Sequence, residues 1–466
     1  MNYLKKAREY VKHNTIPQSE KCLVHLTPET GWLNDPNGFS YYNGKYHMFY
    51  QFHPYSTQWS SMHWGHATSD DCVKWEYQPV ALAPKLPTPS GKTCYSGSGI
   101  EVDGKHYLIY TENGLFQKQC LAVSGDGVDY EMIKKPVIRK KHLPKYGSNT
   151  AFRDPKVWEK DGVFYCLVGN KNSKLHKGCN VVLFKSENMF DWQLVGKLFD
   201  NDTAMKYFDD MPECPDFFSV DGKDVLIVSP WRKQKVVYMV GKLNLETGKF
   251  DGTVPKLVDF GTDFFATSSV TQAGETLLTA WAQATVSTKS AMKPYGFNGL
   301  LTIPRKMTLK NDELIQMPVD SLKNYRQNLT KRSAVVRIEE IVDVCGDCLD
   351  IELEFSDISD MAGVVLYSDG KDKGLKIYYK AGKLVIDRRD NYSEVVGDES
   401  KYIVSSDVEL VDGVLKLRVI LDRFIVEVFV NDGQKAFSTL VTPTKERLGV
   451  KLIGDCAYNG EFYNLK

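Results

Sequence analysis

The sequence has no surplus of charge and no long apolar run. Its 59 basic and 59 acidic residues give a formal net charge of zero, without the basic excess that binds nucleic acid or an anionic membrane. No stretch is apolar over 18 residues, so no transmembrane helix is expected. Residues 1–8 lack the apolar core of a signal peptide. These absences predict a cytoplasmic protein with no nucleic-acid or membrane partner.

The cysteines do not form the dense pattern of a small disulfide-bonded protein. Ten of them are scattered through 466 residues, and reduced thiols in a cytoplasm are expected. Cys345 and Cys348 form a single CxxC pair with no second pair at zinc spacing. We interpret them as ordinary strand residues and expect neither a metal nor a cofactor.

What the sequence does contain is a repeat of predicted hairpins. Five turn glycines, each followed by alternating β-forming residues, stand at positions 44, 104, 162, 222 and 274. Four of them follow Asn or Asp, the strongest short hairpin signal. A second motif, Ser69 to Trp75, recurs at 124–130 and 186–192 and is interpreted as an outer strand. Repeats of this length with about four strands predict the blades of a five-bladed β-propeller; a β-sandwich with chance hairpin similarity is the alternative.

The rest of the chain divides around this repeat. Residues 1–23 are predicted to be a helical extension, with Leu4, Ala7 and Val11 on one helix face, and residues 24–318 the propeller. Residues 319–332 are predicted to be a polar helical linker. Residues 333–466 alternate strongly and predict an antiparallel β-sandwich, for which a structural or oligomerisation role, as in a homo-oligomer, is expected. The fold class is therefore all-β.

Three carboxylates occupy matched places in the repeat. Asp35 and Glu213 stand nine residues before their turn glycines and Asp154 stands eight before, as Ser96 does, while Phe265 stands nine before. Equivalent positions on inner strands converge on a propeller axis, so the three acids are expected to form one cluster. Two carboxylates across a scissile bond hydrolyse glycosides, and a third can stabilise the charge of the transition state.

The residues around these acids resemble the three signature motifs of glycoside hydrolase family 32, the invertases, sucrose-6-phosphate hydrolases and fructanases. The matching stretches are 32–38 (WLNDPNG), 152–155 (FRDP) and 213–216 (ECPD). The resemblance implies that Asp35 is the nucleophile, Glu213 the acid/base and Asp154 the stabiliser of the transition state. It also implies a fructose pocket, whose residues are Asn34, Gln51, Trp59, Ser96, Arg153 and Trp281.

The expected activity is that of a retaining β-fructofuranosidase acting on a small sugar, either sucrose or sucrose-6-phosphate. An exo-acting fructan hydrolase, an inverting five-bladed hydrolase of the arabinanase type and a non-catalytic carbohydrate-binding propeller remain alternatives. Departures from the family pattern, including His53 and the Ala266-Thr267-Ser268 stretch, affect the expected leaving group more than the reaction. Arg232, Lys233 and Lys235 are candidates for contacting a substrate phosphate, although a solvated basic loop is the favoured interpretation of any one of them.

Overall fold

Antiparallel sheets make up most of the computed structural model, which describes residues 2–85, 93–172, 178–283, 290–391 and 402–466. The longer helices are α1 (Tyr3–Asn14) and α2 (Asn201–Phe208), and 3-10 turns occur at Gln18–Glu20, Lys140–His142, Lys293–Tyr295 and Asp320–Tyr325. Helix α1 buries Ala7 and Val11, and Asn2 caps it by accepting a hydrogen bond from the Lys5 amide at 3.0 Å.

Five sheets form the blades of a β-propeller. Their inner strands contact one another in a closed ring, in the order β1 (Gly31–Tyr42), β5 (Thr93–Val102), β9 (Gly147–Lys160), β13 (Pro212–Val220), β18 (Phe265–Gln272) and back to β1. Blades I and II contain β1 (Gly31–Tyr42), β2 (Lys45–His53), β3 (His63–Ser69), β4 (Glu76–Leu82), β5 (Thr93–Val102), β6 (Lys105–Asn113), β7 (Lys118–Ser124) and β8 (Glu131–Met132). Blades III and IV contain β9 (Gly147–Lys160), β10 (Val163–Asn172), β11 (Cys179–Ser186), β12 (Gln193–Lys197), β13 (Pro212–Val220), β14 (Lys223–Pro230), β15 (Val237–Leu243), β16 (Phe250–Gly252) and β17 (Lys256–Leu257).

Blade V closes the ring on blade I. It contains β18 (Phe265–Gln272), β19 (Glu275–Ala282), β21 (Leu300–Leu301), β22 (Arg305–Lys310) and β23 (Glu313–Pro318). Between β19 and β21 the chain crosses to blade I, where β20 (Phe297–Asn298) pairs in parallel with the start of β1. The segment around β20 is therefore fixed against the strand that carries Asp35.

The predicted turns are present in all five hairpins. Each turn glycine has a φ between +71° and +80°, and the residue before it also has a positive φ. Two successive residues with positive φ characterise the type I′ turn, whose twist matches that of the flanking strands.

The Ser69 to Trp75 motif, in contrast, was predicted wrongly as an outer strand. Ser69 ends β3, and its Oγ accepts hydrogen bonds from the amides of Asp71 and Cys72 at 3.2 and 2.8 Å. Asp71 accepts two more from the next amides. Side chains that bond to the adjacent backbone compete with a strand ladder and form turns, and Ser124 and Ser186 do the same. The motif is the turn that precedes the outer strand.

The C-terminal sheets form a β-sandwich-like domain. Its strands are β24 (Arg326–Cys345), β25 (Cys348–Ser356), β26 (Met361–Ser368), β27 (Leu375–Lys380), β28 (Lys383–Asp387), β29 (Ile403–Asp407), β30 (Leu415–Asp422), β31 (Ile425–Val430), β32 (Lys435–Leu440) and β33 (Gly449–Leu465). The first half of β33 pairs with β26 and the second half with β25, so this strand belongs to both layers. One apolar core lies between the layers.

The stretch predicted as a helical linker has a different structure. A 3-10 helix spans Asp320–Tyr325, and β24 begins at Arg326. Residues 326–332 therefore already pair with the end of β33. Their polar composition reflects the exposed face of this strand.

Candidate active site

Each inner strand of the propeller is interrupted by a β-bulge. At four of the five bulges two residues face one residue of the neighbouring strand, and at β5 one residue is extra. A bulge bends the strand and changes the direction of its side chains. The bulged residues are 34–35, 96, 154–155, 214–215 and 266–267.

A cavity of about 760 Å³ opens at this end of the propeller. All nine residues predicted for the site line it: Asp35, Asp154, Glu213, Asn34, Gln51, Trp59, Ser96, Arg153 and Trp281. The three acids come from blades I, III and IV, and only the closed ring of inner strands brings them together.

The sequence suggested that the three acids occupy one equivalent position of the repeat. In the structure they occupy two adjacent positions. The residues nine positions before the turn glycines are Asp35, Tyr95, Arg153, Glu213 and Phe265, and all five line the cavity. Asp154 and Ser96 stand one position later and line it too. Two adjacent positions can face one cavity because the bulge suspends the strict alternation of a strand.

Asp35 is held by hydrogen bonds to both carboxylate oxygens. The Asn34 amide donates to Oδ1 at 2.9 Å, and the Ser96 hydroxyl donates to Oδ2 at 2.6 Å. The Trp32 indole in turn donates to Asn34 Oδ1 at 2.7 Å, which fixes the orientation of the Asn34 amide. These contacts keep the Asp35 carboxylate in one orientation.

Asp154 is buried beside the bulge of blade IV. Its Oδ2 accepts a hydrogen bond from the Cys214 amide at 3.0 Å, and its own amide donates to Thr111 Oγ1 at 3.0 Å. Burial raises the pKa of Asp154 to about 6 and Asp35 adds to the rise, while Arg153 opposes it. Thr111 and Cys214 were not predicted as members of the site, because they act through contacts between blades.

Glu213 and Arg153 form an ion pair across blades III and IV. Arg153 donates to Glu213 Oε1 from Nε at 3.0 Å and from Nη2 at 2.5 Å. Burial raises the pKa of Glu213 to about 7; Arg153 works against this rise and the negative charge of Asp154 adds to it. A carboxyl group with this pKa exchanges its proton near neutral pH, as a general acid/base must.

Aromatic side chains and amides complete the cavity. Trp59, which is 40% exposed, stands edge-on to Tyr95 with ring centroids 6.4 Å apart. Trp281 contacts Trp32 edge-on at 6.0 Å. The Gln51 amide donates to the Cys94 carbonyl at 2.9 Å. Residues that line the cavity but were not predicted for it are Trp32, Gln58, Tyr95, Gln117, Trp231, Gln234, Phe265, Gln283 and Lys293.

The three cations suggested for a substrate phosphate do not line this cavity. Arg232 pairs with Asp210 at 3.2 Å. Lys233 donates to the Tyr207 carbonyl at 2.7 Å, and Lys235 donates to the Gly261 carbonyl at 2.6 Å. The neighbouring Trp231 and Gln234, which belong to the same turn after β14, line the cavity instead.

The residues that the structure describes contain no group of three or more metal-ligating side chains placed to hold an ion. Nor do they include a helix that is both long and apolar enough to cross a membrane.

Comparison with known proteins agrees with this geometry. The glycosyl hydrolases family 32 N-terminal domain matches residues 25–318, and the family 32 C-terminal domain matches residues 317–464. Among curated relatives, a sucrose-6-phosphate hydrolase of Bacillus subtilis is 33% identical over 448 residues, covering 90% of this chain and 88% of that protein. A raffinose invertase of Escherichia coli is 32% identical, covering 90% and 89%.

Solved structures show the same likeness over nearly the whole chain. A sucrose-6-phosphate hydrolase from Lactobacillus gasseri superposes with a TM-score of 0.87 at 25% identity, covering 99% of this chain and 96% of that one. A Bombyx mori β-fructofuranosidase superposes with a TM-score of 0.86 at 25% identity, covering 100% and 99%. With both family domains matched and the three acids gathered in one cavity, the chain belongs to glycoside hydrolase family 32.

Proposed function

We propose that the protein is a retaining β-fructofuranosidase that hydrolyses the fructosyl bond of sucrose or sucrose-6-phosphate. The observation that carries this proposal is the meeting of Asp35, Asp154 and Glu213 in one cavity, each in a different electrostatic setting. Curated relatives of 31–33% identity include several sucrose-6-phosphate hydrolases and a raffinose invertase. They support the assignment of the substrate class.

In the first step Asp35 is the nucleophile. It attacks the anomeric carbon of the fructosyl unit, while protonated Glu213 gives its proton to the departing glycosidic oxygen. The hydrogen bonds from Asn34 and Ser96 hold the Asp35 carboxylate for this attack. The products of this step are a fructosyl-Asp35 ester and the released glucose or glucose 6-phosphate.

In the second step water displaces the Asp35 carboxylate from the fructosyl unit. Glu213, now a carboxylate, removes a proton from water, whose oxygen bonds to the anomeric carbon as the ester bond to Asp35 breaks. Two displacements at one carbon retain its configuration. Arg153 pairs with the Glu213 carboxylate and stabilises this deprotonated state.

Asp154 is assigned to the transition state. Its carboxylate accepts hydrogen bonds from fructose hydroxyls and stabilises the oxocarbenium-like charge. The amide of Cys214 holds Asp154 in place. Asn34, Gln51, Trp59, Ser96, Arg153 and Trp281 form the rest of the fructose pocket, with Trp59 and Trp281 offering apolar ring faces and edges.

Substitution of the nucleophile tests the proposal. Asp35→Ala is expected to lower turnover by about 10⁴-fold or more, because no covalent intermediate can form, while the far-UV circular dichroism stays unchanged. NMR of the anomer first released by the unsubstituted enzyme separates retention from inversion. An inverted product excludes this mechanism in favour of the arabinanase type, and absence of sugar release in a reducing-sugar assay favours a binding protein.

An exo-acting fructan hydrolase is the second candidate. A cavity of about 720 Å³ adjoins the first, and the two share Gln117. A levanase of Bacillus subtilis is 31% identical, covering 92% of this chain and 67% of that protein. The adjoining cavity offers room for further fructosyl units, so kcat/KM on sucrose, sucrose-6-phosphate and short inulin decides between the candidates.

We place the reaction in the cytoplasm. All ten cysteines are free, and nine of them are buried, which is typical of proteins in a reducing compartment. A homo-oligomer formed through the C-terminal domain stays a prediction.

A further inference from the structure

Trp231 lines the catalytic cavity and leaves about half of its side chain in contact with water. Its exposed fraction is 51%, although tryptophan side chains are highly buried on average. An aromatic ring beside a few polar groups is the typical lining of a small-molecule site. The two proposed displacement steps assign no role to this ring.

Backbone contacts place Trp231 beside the strand that carries Glu213. In the ladder between β13 and β14, Glu213 pairs with Ser229, two residues before Trp231. The Trp231 amide then donates to the carbonyl of Met211 at 3.0 Å, two residues before Glu213. The paired strands therefore hold Trp231 next to the proposed acid/base.

The turn that carries Trp231 is closed by hydrogen bonds. The backbone amide of Gln234 donates to the Pro230 carbonyl at 3.1 Å, and its side-chain amide donates to the Trp231 carbonyl. Gln283, which follows β19 of blade V, donates to the Gln234 side chain. Trp231, Gln234 and Gln283 all line the cavity, and we call them the blade IV wall. They are ordered by contacts among themselves, and such preorganisation lowers the cost of binding.

The leaving sugar must lie within reach of Glu213. In the proposed mechanism Glu213 donates its proton to the glycosidic oxygen, which requires a separation of about 2.6–3.2 Å. The fructosyl unit lies on the side of Asp35, whose carboxylate is held by Asn34 and Ser96. The ring on the other side of the glycosidic oxygen therefore meets the residues next to Glu213, and Trp231 is one of them.

The adjoining cavity is the other direction in which a leaving unit could extend. It meets the catalytic cavity at Gln117, whose Oε1 accepts from Arg153 Nη1 at 3.5 Å. Arg153 in turn donates to Glu213. The side chains of Gln117 and Arg153 thus come between that cavity and the acid/base, whereas Trp231 adjoins the Glu213 strand directly. The adjoining cavity suits units further along a chain, and the unit next to the scissile bond belongs at the blade IV wall.

We propose that Trp231 binds the leaving hexose by stacking on one face of its ring, and that this contact selects a leaving group of ring size. This inference rests on the proposed β-fructofuranosidase function. The C–H groups on one face of a hexopyranose form an apolar surface that matches an aromatic ring. Each amide of Gln234 and Gln283 has two donor hydrogens and an acceptor oxygen, so both can also bond to hydroxyls at the edge of the sugar.

The experiment varies the leaving group and the aromatic ring in the full-length enzyme. We measure kcat/KM on sucrose, on sucrose-6-phosphate and on methyl β-fructofuranoside, which keeps the fructosyl unit but has a leaving group without a ring. Trp231→Ala removes the platform, and Trp231→Phe restores an aromatic face. Phe190→Ala is the control, since Phe190 is 44% exposed in the turn before β12 and does not line the catalytic cavity. Phe116→Ala tests the adjoining cavity, which Phe116 lines.

Trp231→Ala is expected to lower kcat/KM on the better of the two sucrose substrates by about 5- to 10-fold, mainly through KM, and to leave kcat/KM on methyl β-fructofuranoside unchanged. Product inhibition by glucose or glucose 6-phosphate should weaken by a similar factor, while inhibition by fructose should stay the same. Trp231→Phe should recover most of the loss, and Phe190→Ala should behave as the unsubstituted enzyme.

Three results overturn the inference. They are an equal loss on the sucrose substrate and on methyl β-fructofuranoside in Trp231→Ala, no loss on either, and a selective loss on the sucrose substrate in Phe116→Ala. An unsubstituted enzyme that releases fructose from none of the three substrates refutes the proposed function itself.

Discussion

At the scale of single residues, acid/base catalysis depends on the pKa of Glu213, which burial raises and the charge of Arg153 lowers. Burial raises the pKa of Glu213 to about 7 against the pull of Arg153. Glu213 must be protonated for the first step, so activity should fall as pH rises through about 7. Asp154, with a pKa raised to about 6 by burial, must be charged to accept from fructose hydroxyls. We therefore expect a bell-shaped pH profile of kcat/KM with limbs near these values.

Removing the charge of Arg153 should move both limbs of this profile to higher pH, because Arg153 lowers the pKa of Asp154 as well as that of Glu213. Arg153→Met takes away the group that lowers the pKa of Glu213, so the basic limb should shift to higher pH, while Arg153→Lys should keep it nearer its original place. The measurement is the pH at which kcat/KM falls on the basic side of the profile. A change in the absolute rate does not affect this pH. A basic limb at the same pH in Arg153→Met would mean that Glu213 is not the titrating acid.

The sequence predicted the nine site residues by type and family motif, and the structure gathers all nine around one cavity. It did not predict which residues orient them. Thr111, Cys214 and Gln117 contact the acids or Arg153 from neighbouring blades, and such contacts depend on how blades pack. The three candidate phosphate cations, Arg232, Lys233 and Lys235, lie outside the cavity, and the sequence could not show this because the direction of a side chain in a turn is set by backbone geometry.

At the scale of elements, the type I′ turns were predictable because their chemistry is local. Four hairpins place Asn or Asp before the turn glycine, and blade V places Ala273 there at φ +50°. A left-handed conformation costs alanine energy that asparagine partly avoids by local hydrogen bonding. The bulges were not predictable, since they arise where inner strands converge on the axis and shift register.

Ala273 offers a test of this reading of the turns. Ala273 is exposed, so Ala273→Asn changes no packing and should stabilise the protein by about 0.5–1 kcal/mol. Ala273→Val should destabilise it, because a β-branched residue tolerates positive φ poorly. Thermal unfolding followed by circular dichroism measures both. Equal midpoints for the two variants would contradict the argument from turn geometry.

At the scale of the whole molecule, a buried network of charges joins the propeller to the C-terminal domain. Arg305 of blade V, which is fully buried, pairs with Asp259 at 2.9 Å and with Glu427 of β31 at 2.5 Å. His25, just before the propeller, bridges Glu427 and Asp422, each at 2.9 Å. Every member has a partner of opposite charge, as buried charges require.

No local sequence motif indicates this network. His25 carries no local signal, and its partners Asp422 and Glu427 lie about 400 residues away. Each partner also accepts backbone hydrogen bonds from the propeller chain, Asp422 from the amides of residues 23–25 and Glu427 from that of Ile303. The two domains are thus held at one junction by charge-assisted hydrogen bonds, and they are expected to unfold together.

The protonation of His25 makes this junction sensitive to pH. Burial lowers the pKa of His25, but the hydrogen bonds with Asp422 and Glu427 outweigh it and raise the pKa to about 9. The folded state therefore binds the proton more tightly than the unfolded state. Its stabilising contribution, on the order of 3 kcal/mol, is complete below about pH 6.5 and is lost as pH rises to about 9.

His25→Gln should remove this dependence, because glutamine keeps a donor but carries no titrating charge. We expect the free energy of unfolding to be lower in the variant at pH 6 and the difference between the two proteins to shrink by pH 9.5. Urea denaturation at both pH values, followed by tryptophan fluorescence, measures it. Taking the difference cancels other groups that titrate in this range, such as Lys21, whose pKa burial lowers to about 8. A difference that is the same at both pH values would show that His25 is neutral in the folded protein, and the junction would then owe its cohesion to Arg305 and its carboxylates.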